Sequence, residues 1–78
     1  MVDSRPDWPE VMDLMTAANY LGIAPDTLHR YAIDGFMPGF KLGTRWRFRR
    51  SALERRMEQL EELEQAQAAD RRARKEAH

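Results

Sequence analysis

A change in the spacing of apolar residues at Phe40 constrains the fold of this chain more than any other feature. Before this point, apolar residues recur at the helical period of about 3.6. From Phe40 to Arg49 they alternate with basic residues, and the dipeptide Gly43-Thr44 interrupts the alternation halfway. Alternation on both sides of a two-residue turn predicts a β-hairpin.

This hairpin is predicted to have one apolar face and one basic face, because successive side chains of a strand point to opposite sides. The apolar face is expected to pack on helices and the basic face to form a row of cations in solvent. The predicted inner residues are Phe40, Leu42, Trp46 and Phe48, and the predicted outer residues are Lys41, Arg45, Arg47 and Arg49. The alternation favours a core position for Trp46 and Phe48 over stacking on nucleic-acid bases.

Two short helices are predicted before the hairpin. The first is expected to have Thr16 as its N-cap, to cover residues 17–21 and to end at Gly22. The second is expected to begin at Pro25, which suits the first turn of a helix, and to end at Gly35. Its inner face would be formed by Leu28, Tyr31 and Ala32, which leaves Thr27, His29 and Arg30 facing outward.

A third helix is predicted after the hairpin. Ser51 and Glu54 have the spacing of a capping box, so the helix is expected to begin at Ser51. Its apolar stripe would consist of Leu53, Met57, Leu60 and Leu63. Arg55 and Arg56 are interpreted as surface residues that pair with glutamates three or four positions away.

Three segments are predicted along the chain of 78 residues. Residues 1–10 are expected to be a loosely ordered leader, with Trp8 as a possible apolar anchor on the domain. Residues 11–63 are expected to form the single domain. Residues 64–78 lack an apolar face and are expected to be a fraying helix or a tail that awaits a partner.

Composition argues against several classes of protein. The chain has no cysteine, and its two histidines, His29 and His78, are too far apart in the sequence to suggest a pair of metal ligands. We therefore expect no enzyme activity, no cofactor and no metal. No apolar run approaches the length of a membrane span, and the first residues lack a signal-peptide pattern, so we expect a cytoplasmic protein without membrane contact.

Positive charge is concentrated in the hairpin, although the net charge of the chain is zero. Five basic residues lie between Lys41 and Arg50, where there is no acidic residue. Protecting a sheet edge from aggregation needs only one or two charges. This cluster therefore predicts contact with the phosphates of a nucleic acid.

The order and spacing of these elements resemble the excisionase and MerR-like family of winged helix-turn-helix proteins. The matching pieces are the helix that ends at Gly22, the helix from Pro25, the hairpin of residues 41–48 and the segment that opens with Ser51. The small size resembles a phage excisionase most. The resemblance implies a mainly helical winged fold, with the second helix in the major groove of DNA and the hairpin, or wing, on the backbone and in the minor groove.

The resemblance and the basic cluster together give the candidate DNA-binding residues. These are Thr27, His29 and Arg30 on the second helix, and Lys41, Thr44, Arg45, Arg47, Arg49 and Arg50 in or beside the wing. Relatives often have Ser or Thr before the second helix, where this chain has Ala24, so no side chain can contact phosphate there. His29 is alternatively a plain surface residue, and one of Arg49 and Arg50 is alternatively the partner of Glu54.

Three hypotheses of function are left, and the first two are what the resemblance implies. The first is an excisionase, which bends DNA in several copies and helps a phage integrase, contacted through the C-terminal helix or tail, to excise DNA. The alternative is a small MerR-like transcriptional regulator. The third is a protein-interaction module in which the basic wing has no role.

Overall fold

The computed structural model describes residues 8–76 of the chain, and the side chains of residues 8–73. The elements in chain order are β1 (Val11–Asp13), α1 (Leu14–Leu21), α2 (Pro25–Asp34), β2 (Phe40–Leu42), β3 (Arg45–Arg49) and α3 (Arg50–Glu76). The mainly helical winged helix-turn-helix fold that was predicted is confirmed. None of the helices within residues 8–76 has both the length and the apolar character of a membrane span.

The sheet has three antiparallel strands in the order β1-β3-β2. The predicted hairpin is present as β2 and β3. Strand β1 was not predicted, since it is only three residues long and buries a single side chain, Met12. It pairs Met12 with Phe48, which places β3 in the centre of the sheet.

The predicted faces of the hairpin are wrong for β2. Leu42 lies opposite Arg45, and Lys41 lies opposite Trp46. Residues opposite each other in a sheet share a face, so Lys41 belongs to the inner face with Trp46, and Phe40 and Leu42 belong to the outer face. Their side chains are accordingly 41% and 65% exposed. A two-residue turn places the last residue of β2 and the first of β3 on the same side, and the prediction had carried a simple alternation through the turn.

Helix α1 begins earlier than predicted, because Asp13 and not Thr16 is its N-cap. The Asp13 carboxylate accepts a hydrogen bond of 2.8 Å from the backbone N–H of Thr16. The predicted end of α1 at Gly22 is confirmed, as are the start of α2 at Pro25 and its end at Gly35. Both glycines have the left-handed backbone conformation that ends many helices.

The core lies between the inner face of the sheet and the three helices. The buried residues are Met12, Ala17, Ala18, Leu28, Ala32, Met37, Phe48 and Leu53. Of the predicted inner stripe of α2, Leu28 and Ala32 are buried and Tyr31 is half-buried. On α3 the packing reaches Leu60, whereas Leu63 is 54% exposed. The apolar stripe therefore ends at Leu60 and not at Leu63 as predicted.

Residues 8–10, which we call the N-terminal strap, cover the start of α3. The predicted capping box is wrong, because the Ser51 hydroxyl donates to the Glu10 carboxylate at 2.6 Å and Glu54 accepts instead from the hydroxyl of Tyr20. Helix α3 also begins one residue earlier than predicted, at Arg50. The Trp8 ring packs edge-on against the ring of Tyr20, with centroids 5.4 Å apart. A carboxylate distant in the sequence thus accepts hydrogen bonds from the hydroxyl and the backbone N–H of Ser51, at the start of α3.

Replacing Glu10 with glutamine is expected to lower the melting temperature at neutral pH. The hydrogen bond from the Ser51 side chain, together with the Ser51 backbone N–H and the charge of Arg49, holds the pKa of Glu10 below its ordinary value of 4.5. Its contribution to stability is therefore complete above pH 4.5 and is lost as the pH falls through the lowered pKa of the folded state. Thermal unfolding across pH should show the difference between the two proteins shrinking in acid. Glu58→Gln, on an exposed part of α3, is the control, and an equal effect there would contradict the prediction.

Gly39 lies directly against the ring of Phe48. A Cβ atom at this position would stand 2.6 Å from Cε2 of Phe48, whose ring is fully buried in the core. We expect Gly39→Ala to cost about 1–3 kcal/mol of folding free energy through overpacking. Urea denaturation measures this cost. The cost should shrink in a Phe48→Leu background, and an unchanged cost there would show that the ring is not its cause.

Candidate nucleic-acid interface

The outward face of α2 carries three of the predicted DNA-binding residues. Thr27 is half-buried, and His29 and Arg30 are exposed. Among the described residues, none forms a hydrogen bond or an ion pair with the Arg30 side chain, so its guanidinium is available to a ligand. Ala24 is the N-cap of α2, and it makes no side-chain hydrogen bond because its methyl group has no polar atom.

The wing, which is the hairpin of residues 40–49, presents its cations on two sides. Arg45 and Arg47 are on the outer face of β3, whereas Lys41 lies on the inner face with its Nζ atom 5.8 Å from the centre of the Trp46 ring. Thr44 is exposed in the turn at the tip. The guanidinium of Arg47 also donates to the carbonyl oxygen of Trp46 at 3.2 Å, so its position is partly fixed.

An acidic side chain stands beside these arginines. Asp13 is opposite Arg47 in the register of β1 and β3. Its pKa is lowered, first by the backbone N–H of Thr16 and then by the charges of Arg47 and Arg45. Asp13 therefore stays ionised while it caps α1, and it offsets part of the positive charge of the outer sheet face.

A groove of about 340 Å³ separates α2 from the tip of the wing. Its walls are the junction of β1 and α1 (Asp13, Leu14 and Met15), His29 of α2, and residues 44–47 of the wing. Met15 is 65% exposed at this place, although it is apolar. Neither Asp13 nor Met15 was among the predicted site residues. An acidic residue just before a helix is an N-cap signal that points to Asp13, whereas no local pattern points to Met15. Within residues 8–76, no group of His, Asp or Glu side chains is arranged to hold a metal ion.

Arg49 and Arg50 lie apart from this groove and contact the N-terminal strap. The Nε atom of Arg49 is 3.3 Å from a carboxylate oxygen of Glu10. The Nη2 atom of Arg50 lies 3.9 Å from a carboxylate oxygen of Glu10, and its Nε atom lies 3.7 Å from a carboxylate oxygen of Glu54. The guanidinium of Arg50 also donates to the carbonyl oxygen of Trp8. The alternative pairing of Arg50 with Glu54 is thus present. The side chain of Arg49 is 60% exposed, so its outer part is still accessible.

The interpretation of Arg56 as a partner of nearby glutamates is wrong. Its Nε atom donates to the carbonyl oxygen of Phe36 at 2.7 Å, and its guanidinium lies 5.1 Å from the centre of the Phe36 ring. Arg56 therefore holds the connector between α2 and β2 against α3. Because Phe36 is 20 residues away in the sequence, helical spacing alone gave no sign of this contact.

The comparisons with known proteins agree with this geometry. Residues 11–61, about two thirds of the chain, match the family model described as a helix-turn-helix domain. That family includes excisionase-like DNA-binding proteins. Neither a curated protein nor a solved structure matches the chain. The matched range begins at β1 and ends in α3, so it contains α1, α2 and the wing.

Proposed function

Because the chain belongs to the helix-turn-helix domain family, we propose that it binds double-stranded DNA. Helix α2 enters the major groove and the wing lies against the minor groove and the phosphate backbone. The observation that carries the proposal is that both elements present an exposed arginine, Arg30 on α2 and Arg45 on the wing. A groove lined by His29 of α2 and by Arg45 lies between the two elements. The role is one of binding and architecture, without catalysis.

The distribution of charge supports this proposal in spite of the net charge of zero. The basic residues of the wing lie in a stretch without acids, whereas most acidic residues are elsewhere, in the first 13 residues and along α3. Contact with phosphates releases counterions locally, so a neutral chain with a basic face binds DNA as a basic protein does.

Fluorescence anisotropy with a labelled duplex at increasing salt tests DNA binding. The logarithm of the binding constant is expected to fall linearly with the logarithm of the salt concentration, by about 0.9 for each phosphate contacted. A single strand of the same sequence is the control and should bind more weakly, because it has no grooves for α2 and the wing. Equal binding of single strand and duplex, or binding that salt does not change, would contradict the proposal.

At a finer level, we propose that the protein is an excisionase that acts on phage DNA in the cytoplasm of a bacterial host. Several copies bind neighbouring sites, bend the duplex and help a phage integrase to carry out excisive recombination. Two observations support this role: the resemblance of the sequence to excisionases, and the extension of α3 to Glu76, well past the last core contact at Leu60. The exposed part of α3 is the surface offered to the integrase.

Bending and integrase contact are tested separately. A circular-permutation gel assay on a bound attachment site should show a bend, since contacts from α2 and the wing offset the cost of deforming DNA. A chain that ends at Glu64 should bind and bend DNA normally but fail to support excision by the integrase. An unbent complex, or full excision by the shortened chain, would contradict the corresponding part of the proposal.

The 27-residue length of α3 is the observation that favours the alternative, a MerR-like regulator, because long C-terminal helices join subunits in such proteins. The exposure of Leu63 and the small residues beyond it weigh against an extended apolar seam. Footprinting on the genome separates the two functions. Sites beside an integrase core site favour the excisionase, and sites over promoters favour the regulator.

A further inference from the structure

Trp46 is one of the side chains through which the wing faces α2. It lies half-buried on the inner face of β3 and stacks on the buried ring of Phe48, with centroids 6.3 Å apart. The Nζ atom of Lys41 lies over the same ring. The buried indole N–H of Trp46 has no hydrogen-bond partner in the described part of the chain. Ring contacts, and not a hydrogen bond, therefore set the orientation of this side chain.

The imidazole of His29 meets Trp46 from the side of α2. The two ring centroids are 6.5 Å apart and the ring planes are inclined by 81°, which is the edge-to-face arrangement that aromatic pairs favour. Among residues 8–73, this is the only ring contact, hydrogen bond or ion pair that joins α2 to the strands of the wing.

The core also joins α2 to the wing, because Leu28 and Ala32 of α2 are buried in the same cluster as Phe48 of β3. Nearer the tip of the wing, residues 44–47 are exposed or half-buried, so they lie outside this core. The groove lined by His29 and residues 44–47 lies at this point. At the tip, the angle between α2 and the wing thus depends on contacts outside the core, and the contact of His29 with Trp46 is one of them.

We propose that His29 is a positioning residue, which sets the angle of the wing relative to α2 by its contact with Trp46. The inference rests on the proposed DNA binding, because the angle matters only when both elements engage one duplex. It removes His29 from the residues that contact bases or phosphates. Contact with the major groove then falls to Arg30 and Thr27.

Two substitutions of His29 separate positioning from direct contact with DNA. His29→Phe keeps an aromatic ring at the contact but has no N–H donor, whereas His29→Ala removes the ring. We expect His29→Ala to weaken duplex binding about fivefold, which is within the range that one edge-to-face contact supplies. His29→Phe should bind with nearly wild-type affinity and the same base preference. An equal loss in both variants would overturn the proposal.

A double-mutant cycle with the wing gives a second test. If His29 acts through the wing, His29→Ala should have little further effect in a protein that already carries Arg45→Ala and Arg47→Ala. If His29 contacts DNA by itself, the losses should add. Additive losses would therefore also overturn the proposal.

A measurement on the free protein separates failure of this inference from failure of DNA binding. The chain has two tryptophans, so Trp8→Phe leaves Trp46 as the only one. In that background, His29→Ala should make the fluorescence of Trp46 more sensitive to quenching by acrylamide, and His29→Phe should not. Unchanged quenching in His29→Ala would show that His29 does not hold Trp46, whatever the protein does with DNA.

Discussion

Phe48→Ala is expected to unfold the domain. The ring of Phe48 is fully buried at the centre of the core, where it contacts Gly39 and stacks on Trp46. Truncating a buried phenylalanine costs about 3–5 kcal/mol. A domain of this size has little more folding free energy than that. Thermal unfolding followed by far-ultraviolet circular dichroism should show the loss of a cooperative transition.

The matched control for this variant is Phe40→Ala in the same hairpin. Phe40 lies on the outer face of the sheet and is 41% exposed, so its truncation should change the melting temperature only slightly. The comparison also tests the strand register, because a hairpin with both phenylalanines inside would lose similar stability in both variants. Equal destabilisation would contradict the described register.

Arg45→Ala combined with Arg47→Ala is expected to give the largest loss of DNA affinity. Each arginine that contacts a phosphate adds about one to the salt slope, so the double variant should lose about two from that slope. The affinity should fall by roughly 10- to 100-fold on any sequence, because contacts to phosphate carry no sequence information. Anisotropy titrations at several salt concentrations measure both quantities.

Arg71→Ala combined with Arg72→Ala is the control for charge. It also removes two positive charges, but from the part of α3 that lies beyond the core, where Arg71 pairs with Glu64 at 3.2 Å. We expect it to leave the affinity and the salt slope nearly unchanged. If both double variants lost the same affinity, general attraction to a polyanion would explain binding, and the wing would have no specific role.

The parts of the fold that depend on neighbouring residues were predictable from the sequence. Gly22, Pro25 and Gly35 fix the ends of α1 and α2 through backbone conformations that each residue strongly favours. The faces of β2 were also accessible, since a two-residue turn implies that Leu42 and Arg45 share a face. That error came from the interpretation of the pattern and not from the pattern itself.

The contacts between distant residues were not predictable in this way. Ser51 and Glu54 have the spacing of a capping box, yet Glu10, 41 residues from Ser51, accepts the hydrogen bond from the Ser51 hydroxyl. A local motif states what a residue is able to do, and tertiary packing decides which partner it takes. The same reason explains Arg56, which leaves its helical neighbours for the carbonyl oxygen of Phe36.

In the candidate site, too, local features were predictable and contacts between distant residues were not. The exposure of Arg30 and Arg45 follows from local periodicity and was expected. Local periodicity does not show that Arg49 and Arg50 stand beside Glu10, or that His29 meets Trp46, because each contact joins separate elements. The contribution of each of these residues to DNA binding stays a prediction.

The N-terminal strap has a consequence for how the limits of this domain are drawn. The match to the family begins at residue 11, immediately after the strap. A protein cut at that limit would keep every helix and strand but would lose the carboxylate that caps α3 and the ring that covers Tyr20. Such a fragment would report the stability and charge of an incomplete domain. The packed part of the structure therefore includes Trp8 and Glu10, which lie outside the matched range.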